Sequence, residues 1–375
     1  MLTHLLPFAA GLAALVAGAE MLVRGSSKLA RSWGVAPLVI GLTIVAFGTS
    51  TPELAVSVKA TLAGQADLSV GNVVGSNICN VLLILGVCAL AAPLRVALQL
   101  VRSDVWIMVA ASVVVWGLAM NGEISRAEGL LLTAGLVLYT WHAVREEQRQ
   151  SKTEPSEQKL EQPRKSGASW TEHWAVNIGS ALAGLALLIQ GSEWLIDAAL
   201  ALGRELGAGE LILGLTVVAV GTSLPELATS FIATLRGERD IAVGNIVGSN
   251  IFNLLGVLGI SAALSPIPVQ VAESALRFDI PVMTAVAAAC LPIFFTGYRI
   301  DRWEGGLFLG YYIAYVAYLV LDATSPQALR PYTVAMLGFV IPITVATLGI
   351  IVVRSWRRDR ERPHGDEDGT GRSDV

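Results

Sequence analysis

The chain has 375 residues, of which 54% are hydrophobic and 15% are charged, and its mean hydropathy is +0.61. Soluble globular domains carry about 25% charged residues, so this composition excludes an ordinary soluble enzyme. The net charge of −4 says little by itself, and we expect no nucleic-acid partner. Three cysteines, Cys79, Cys88 and Cys290, have neither the spacing of a disulfide framework nor that of a zinc site.

Long apolar runs predict an all-α polytopic membrane protein. A helix needs about 20 apolar residues to cross the roughly 30 Å hydrocarbon core of a bilayer. A membrane barrel would instead alternate apolar and polar residues over segments of about ten residues, and these runs are continuously apolar. In chain order, the eleven predicted helices cover residues 3–23, 37–63, 68–91, 103–121, 127–144, 175–197, 210–235, 241–265, 278–297, 304–322 and 333–353.

Basic residues predict the orientation of these helices. If the N-terminus is outside, most of the 26 Lys and Arg residues fall in inner loops and in the C-terminal tail. The outer loops then contain only Arg126, Arg204, Arg277 and Arg330. The positive-inside rule therefore predicts an outer N-terminus and a cytoplasmic C-terminus. We expect a multi-pass protein of the plasma (inner) membrane, in contact with the lipid bilayer.

A polar stretch divides the predicted helices into two groups of five. We expect a first five-helix repeat at 1–144, a cytoplasmic linker at 145–174, a second repeat at 175–322, and an accessory transmembrane helix with a basic tail at 323–375. Because five is odd, the second repeat enters the membrane from the opposite side. Inverted repeats of this kind place ion sites near the bilayer midplane and are typical of alternating-access transporters.

One sequence motif occurs in both halves. Residues 41–86 and 214–259 align without gaps at a constant offset of 173, and 30 of these 46 positions are identical. Each copy places a glutamate, Glu53 or Glu226, beside a proline within an apolar helix. A carboxylate inside a membrane is costly and is a functional-site candidate by default. A purely structural role for the glutamates does not explain why proline and hydroxyls recur at the same spacing.

The residues around each glutamate provide further oxygen atoms. At 3.6 residues per turn, Ala46, Thr49, Ser50 and Glu53 share one helix face. Pro52 has no N–H, so the helix is expected to bend and to free a carbonyl oxygen there. The second copy repeats the arrangement with Ala219, Thr222, Ser223, Pro225 and Glu226. Carboxylate, hydroxyl and carbonyl oxygens suit Ca²⁺ and Na⁺.

The third and eighth predicted helices contribute a second pair of polar segments. Ser76 and Asn80 are four residues apart and share a face, as do Ser249 and Asn253. Their oxygens are candidates to complete a cation site, although interhelical hydrogen bonding would also explain the asparagines. Each segment also has two glycines four residues apart, which predicts close helix packing.

These motifs carry a family resemblance. GTSTPEL with GNVVGSNICN, and GTSLPEL with GNIVGSNIFN, resemble the two alpha-repeats of the cation/calcium exchanger superfamily, in particular prokaryotic sodium/calcium antiporters. The resemblance implies a ten-helix inverted-repeat (5+5) fold with ions between helices 2, 3, 7 and 8; the eleventh helix is additional. It implies that the Ca²⁺ ligands are Glu53, Glu226, Thr49 and Thr222. It further implies Na⁺ ligands at Ser50, Ser223, Ser76, Ser249 and the carbonyls of Ala46 and Ala219, with Asn80 and Asn253 at the remaining central polar positions.

The expected function is secondary active antiport of Ca²⁺ against Na⁺, which is not an enzymatic activity and needs no cofactor or obligate protein partner. A Ca²⁺/H⁺ or other divalent cation exchanger is the alternative, because close carboxylates can share protons. An intramembrane hydrolase fits less well, since no His or Lys adjoins Ser50 and Glu53. A passive channel fits less well because an inverted pair of broken helices favours alternating access. Many members of the family, including potassium-dependent exchangers, carry Asp at the place of Asn253, so by this resemblance the amide argues against K⁺ co-transport.

Overall fold

The computed structural model describes residues 2–153, 174–205 and 219–347, together with positions 209, 213, 217, 349, 350 and 353. Nearly all of these residues are helical, which confirms the predicted all-α class. Most of the predicted linker, the first part of the predicted seventh helix and the basic tail lie outside the described residues.

The helical segments of the first half are numbered in chain order, and several include a π-helical stretch. They are α1 (Leu2–Trp33), α2 (Pro37–Ile40, π Gly41–Val45, Ala46–Thr49 and Thr51–Leu62), α3 (Ala66–Cys79, π Asn80–Leu85 and Gly86–Ala91), α4 (π Leu100–Asp104 and Val105–Ala119) and α5 (Arg126–Thr153).

The second half and the C-terminal extension follow the same pattern. Their segments are α6 (Trp174–Glu205), α7 (Ala219–Gly221 and Leu224–Leu235), α8 (Arg239–Phe252, π Asn253–Val257 and Leu258–Leu264), α9 (π Ala275–Asp279 and Ile280–Phe295), α10 (Arg302–Thr324) and α11 (Pro326–Ala335 and π Met336–Val340, continuing to Thr347).

The number of membrane-crossing helices is close to the predicted eleven. Among the described residues, nine helices are long and apolar enough to cross a membrane, or ten if the bent pair in α2 counts as one span. Helix α7 is not among them, because its apolar segment Leu224–Leu235 has only 12 described residues. The start of the predicted helix 210–235 lies largely outside the described residues. The count of eleven therefore stays a prediction.

Helices α1 and α6 run antiparallel, and their backbones are in contact where they cross. A Cβ atom added at Gly18 would lie 2.7 Å from the carbonyl oxygen of Gly184, and one at Gly11 would lie 2.8 Å from that of Gly191. Only glycine allows backbones to approach so closely. Because equivalent helices of the two halves run in opposite directions here, the packing agrees with an inverted repeat.

Two short antiparallel ladders join the halves at opposite ends of the bundle. Strand β1 (Leu94–Arg95) pairs with β4 (Arg299–Ile300), and β2 (Glu123–Ile124) pairs with β3 (Val269–Gln270). The end that holds β1 and β4 also holds the last turns of α1 and α7 and the first turn of α8. We call it the basic end, after its residues Arg24, Arg31, Arg236 and Arg239.

The centre and the edge of the bundle differ in burial. Every residue of α8 from Ile241 to Phe252 is buried, whereas the described residues of α11 include none that is buried. Helix α11 contacts α10 through two tyrosines: Tyr311 donates to Thr344 Oγ1 at 2.7 Å, and Tyr332 donates to the carbonyl oxygen of Ala314 at 2.7 Å. The polar core therefore lies in α2, α3, α7 and α8, away from α11.

Candidate ion-binding site

Both motif-bearing helices are interrupted beside their prolines. In α2, the segments before and after Ser50 are bent by 44°, and Ser50 has φ −83° and ψ 9°. Pro52 stands in the first turn of the following segment, where its missing N–H costs no hydrogen bond. In α7, Ser223 has φ −88° and ψ 7° and precedes Leu224–Leu235, which begins with Pro225 in its first turn. The predicted break at the proline is confirmed in α2.

The two glutamates are buried and are linked across the halves. Glu53 is 1% exposed and Glu226 is 0% exposed. Ser50 Oγ donates to Glu226 Oε1 at 2.8 Å, and Ser223 Oγ donates to Glu53 Oε1 at 3.5 Å. Each carboxylate therefore accepts a hydrogen bond from the serine of the other repeat. The fold thus brings two distant half-motifs into one site.

Several oxygen atoms of this site have no hydrogen-bond partner among the described residues. They are Glu53 Oε2, Glu226 Oε2, the hydroxyls of Ser76 and Ser249, and the side-chain amides of Asn80 and Asn253. Leaving one such buried polar atom unpaired costs about 1–3 kcal/mol. The four serines and asparagines lie in helices that contact the segments of the two glutamates, and together with the carboxylates they form a donor set that suits hard cations.

The two asparagines stand where the helices change their winding. Asn80 is the first residue of the π-helical stretch in α3, and Asn253 is the first residue of the one in α8. Both side chains are buried. Single π-helical turns widen a helix and are frequent at functional sites. Their placement agrees with the central position that the sequence motif predicts for both residues.

The predicted threonines contact asparagines of the opposite half. Thr49 Oγ1 lies 3.1 Å from Asn245 Oδ1 and 3.1 Å from the carbonyl oxygen of Val45. Thr222 Oγ1 lies 3.4 Å from Asn72 Oδ1. These asparagines were not among the predicted site residues. They recur at the same offset as the rest of the motif, and a position-by-position comparison of the repeats is the signal that would have found them.

The predicted carbonyl ligands are less clearly placed. The carbonyl oxygen of Ala46 accepts the Ser50 N–H at 3.0 Å and lies 3.4 Å from Thr49 Oγ1. One lone pair of this oxygen is therefore already used within α2. Ala219 begins the short segment Ala219–Gly221, and its side chain is outside the described part. A ligand role for either carbonyl stays a prediction.

The acids of the site are limited to the two glutamates. Within the described residues, no group of three or more His, Cys, Asp or Glu side chains is arranged to hold a metal ion. Glu20 and Glu193, a further pair of repeated acids, are not buried, and Glu20 pairs with Arg236 at the basic end. The site therefore has a formal charge of −2 when both Glu53 and Glu226 are ionised.

The chain is similar to known transporters over most of its length. The model of the family described as sodium/calcium exchanger protein matches residues 3–145 and 176–321. Putative antiporter CaxA of Alkalimonas amylolytica is 38% identical over 309 residues, which are 81% of this chain and 95% of that protein. Sodium/calcium exchanger MaX1 of Methanosarcina acetivorans is 34% identical over 345 residues, covering 82% of this chain and 96% of MaX1.

The fold is also that of a solved exchanger. A structure of the sodium-calcium exchanger NCX_Mj, soaked with zero Na⁺ and Ca²⁺, superposes with a TM-score of 0.72 at 27% identity. The match covers 84% of this chain and 98% of that one. Sequence, fold and the paired acidic half-sites agree, and the chain belongs to the sodium/calcium exchanger protein family, whose members are cation antiporters and not enzymes.

Proposed function

We propose that the protein exchanges Ca²⁺ for Na⁺ by alternating access between two inverted halves, residues 1–144 and 175–322. One observation carries the proposal: Glu53 and Glu226 come from opposite halves, are buried, and each accepts one hydrogen bond from the other half while its second oxygen has no described partner. The proposed ligands are Glu53, Glu226, Thr49, Thr222, Ser50, Ser223, Ala46, Ala219, Ser76, Ser249, Asn80 and Asn253.

Charge balance explains why the two ions would compete. Two ionised carboxylates neutralise one Ca²⁺, and the same carboxylate and hydroxyl oxygens suit Na⁺. An empty site would keep two like charges in a region of low dielectric constant, which opposes its passage across the membrane. Exchange is thereby favoured over the uncoupled movement of either ion.

The charge distribution supports an orientation. The basic end holds Arg24, Arg31, Arg236 and Arg239, and the positive-inside rule assigns such an end to the cytoplasm. In the plasma (inner) membrane of a cell, inward Na⁺ movement would then drive Ca²⁺ out. Asn253 adds an amide, not a third acid, which supports transport that is independent of K⁺.

The test is ⁴⁵Ca²⁺ uptake into vesicles that contain the purified protein. We expect rapid uptake when an outward Na⁺ gradient is imposed, and no stimulation when external K⁺ is added. A pH gradient without Na⁺ should give little uptake. Uptake driven by the pH gradient alone would overturn the sodium assignment and favour a Ca²⁺/H⁺ exchanger.

A further inference from the structure

An asparagine in α8 connects the two broken helices. Asn245 is 0% exposed. Its Oδ1 lies 3.1 Å from Thr49 Oγ1 in α2, and its Nδ2 donates to Ser230 Oγ in α7 at 3.0 Å. Thr49 belongs to the first half and Ser230 to the second. One side-chain amide therefore bridges both halves beside the glutamates.

The equivalent asparagine in α3 makes the reciprocal bridge. Asn72 Nδ2 donates to Ser57 Oγ at 2.9 Å and to the carbonyl oxygen of Glu53 at 3.2 Å, both in α2. Its Oδ1 accepts from Thr222 Oγ1 in α7 at 3.4 Å. The same three residue types thus occur twice, related by the repeat, and in each copy the threonine comes from the half opposite to the asparagine.

The chemistry of these contacts needs an amide. A threonine hydroxyl has one hydrogen, which within a helix usually goes to a carbonyl of the preceding turn. Asn245 Oδ1 offers Thr49 an alternative acceptor in another helix, while the amide N–H satisfies Ser230. A hydrocarbon side chain would satisfy neither group. A carboxylate would accept both hydrogens but would add a third negative charge near the glutamates.

We propose that Asn245 and Asn72 are positioning residues for cation binding. Each fixes the threonine of the opposite half beside the helix break, and so holds the two broken helices at the spacing that the cation ligands require. Neither asparagine is assigned a contact with the transported ion. This inference depends on the proposed function only for the identity of the transported ions.

A double-mutant cycle tests this inference, because it isolates the coupling between two side chains. The variants are Asn245→Leu, Thr49→Val and the double mutant. The readout is the rise in melting temperature of the purified full-length protein with increasing Ca²⁺ and, separately, Na⁺, which reports binding without transport. We expect each single change to weaken apparent Ca²⁺ affinity about tenfold and the double mutant to be little worse than either.

The duplicated site supplies the control. Asn72→Leu with Thr222→Val should also be non-additive, with a smaller coupling because the contact is 3.4 Å and not 3.1 Å. The crossed pair Asn245→Leu with Thr222→Val should be close to additive, because no described contact joins these two side chains. Additivity in both direct pairs would overturn the proposal.

A second variant keeps the test valid if Asn245→Leu does not fold. Asn245→Ala also removes the acceptor for Thr49 but adds no volume, so it should show the same non-additivity with Thr49→Val, whereas additivity would contradict the proposal. Stabilisation by Ca²⁺ without any by Na⁺ would count against sodium exchange. The coupling measured with Ca²⁺ would still decide the role of the asparagines.

Discussion

The two halves of the ion site have nearly the same sequence but different packing. In α8, a Cβ atom at Gly248 would lie 2.6 Å from the carbonyl oxygen of Leu42, so α2 and α8 are in backbone contact. The equivalent glycines of α3 are less buried: Gly71 is exposed and Gly75 is half-buried, whereas Gly244 and Gly248 in α8 are buried. The same glycine spacing thus closes one half-site and leaves the other open.

Hydrogen bonds show the same asymmetry. The Ser50–Glu226 bond is 2.8 Å long, whereas its counterpart from Ser223 to Glu53 is 3.5 Å. Identical motifs therefore do not enforce identical contacts. The difference teaches that one repeated motif is compatible with two packing arrangements. In the opposite conformation we expect α3 to be closed by α7 and α8 to be open, as alternation between inverted repeats requires.

The largest effect is expected from replacing the buried glutamate that each half contributes to the site. Glu53→Gln and Glu226→Gln should each lower Na⁺-driven ⁴⁵Ca²⁺ uptake at least about 100-fold. The single remaining carboxylate would neutralise only one of the two charges of a buried Ca²⁺. Glu193→Gln is the control, since Glu193 is a repeated acid that is not buried and should keep normal uptake. A normal rate for Glu53→Gln or Glu226→Gln would remove that residue from the site.

A smaller effect should separate the closed half from the open half. Gly248→Ala forces a methyl group against the Leu42 carbonyl oxygen and should cost about 1–3 kcal/mol of stability. Gly75 is only half-buried, so Gly75→Ala should lower the melting temperature less while slowing transport, because the proposed alternating access requires α3 to close in the opposite conformation. Equal melting temperatures for the two variants would contradict the asymmetry.

Local chemistry explains which of these features were predictable. Pro52 has no N–H wherever the chain places it, so the break in α2 followed from the sequence. The Ser50–Glu226 contact joins residues 176 positions apart and needed the fold. The bridge through Asn245 was not predicted, because an asparagine in a glycine-rich helix is equally consistent with an interhelical packing role. The tighter packing at Gly248 than at Gly75 depends on contacts between distant helices, which the repeated motif does not specify.

The basic end adds a contact that the repeat does not duplicate. Arg236 donates from Nε to Glu20 Oε2 at 2.9 Å, and Arg24 also pairs with Glu20. At the other end, the equivalent of Arg236 is Ala63, which has no charge to offer Glu193. Among the described residues, the Arg236–Glu20 ion pair therefore connects α1 to the end of α7 at the basic end, and the repeat supplies no counterpart for it.

Removing this contact should have a modest effect that depends on salt. Glu20→Gln is expected to destabilise the protein by about 0.2–1 kcal/mol at low ionic strength, because the partners are partly exposed. High salt should reduce the difference. The matched variant Glu193→Gln should change the melting temperature less, and a larger change for it would show that the two ends are not distinguished by these ion pairs.

The smallest effect on transport is expected in α11, which has no counterpart in the first half. It is joined to α10 by the hydroxyls of Tyr311 and Tyr332, and its described residues are not buried. Replacing both tyrosines with Phe should lower stability by about 1–2 kcal/mol in total and leave Na⁺-driven ⁴⁵Ca²⁺ uptake within about twofold, because no proposed ligand lies in α10 or α11. If uptake instead fell as far as in Gly75→Ala, movement of α11 with α10 would be part of the transport cycle, and the difference between the halves would extend beyond the ion site.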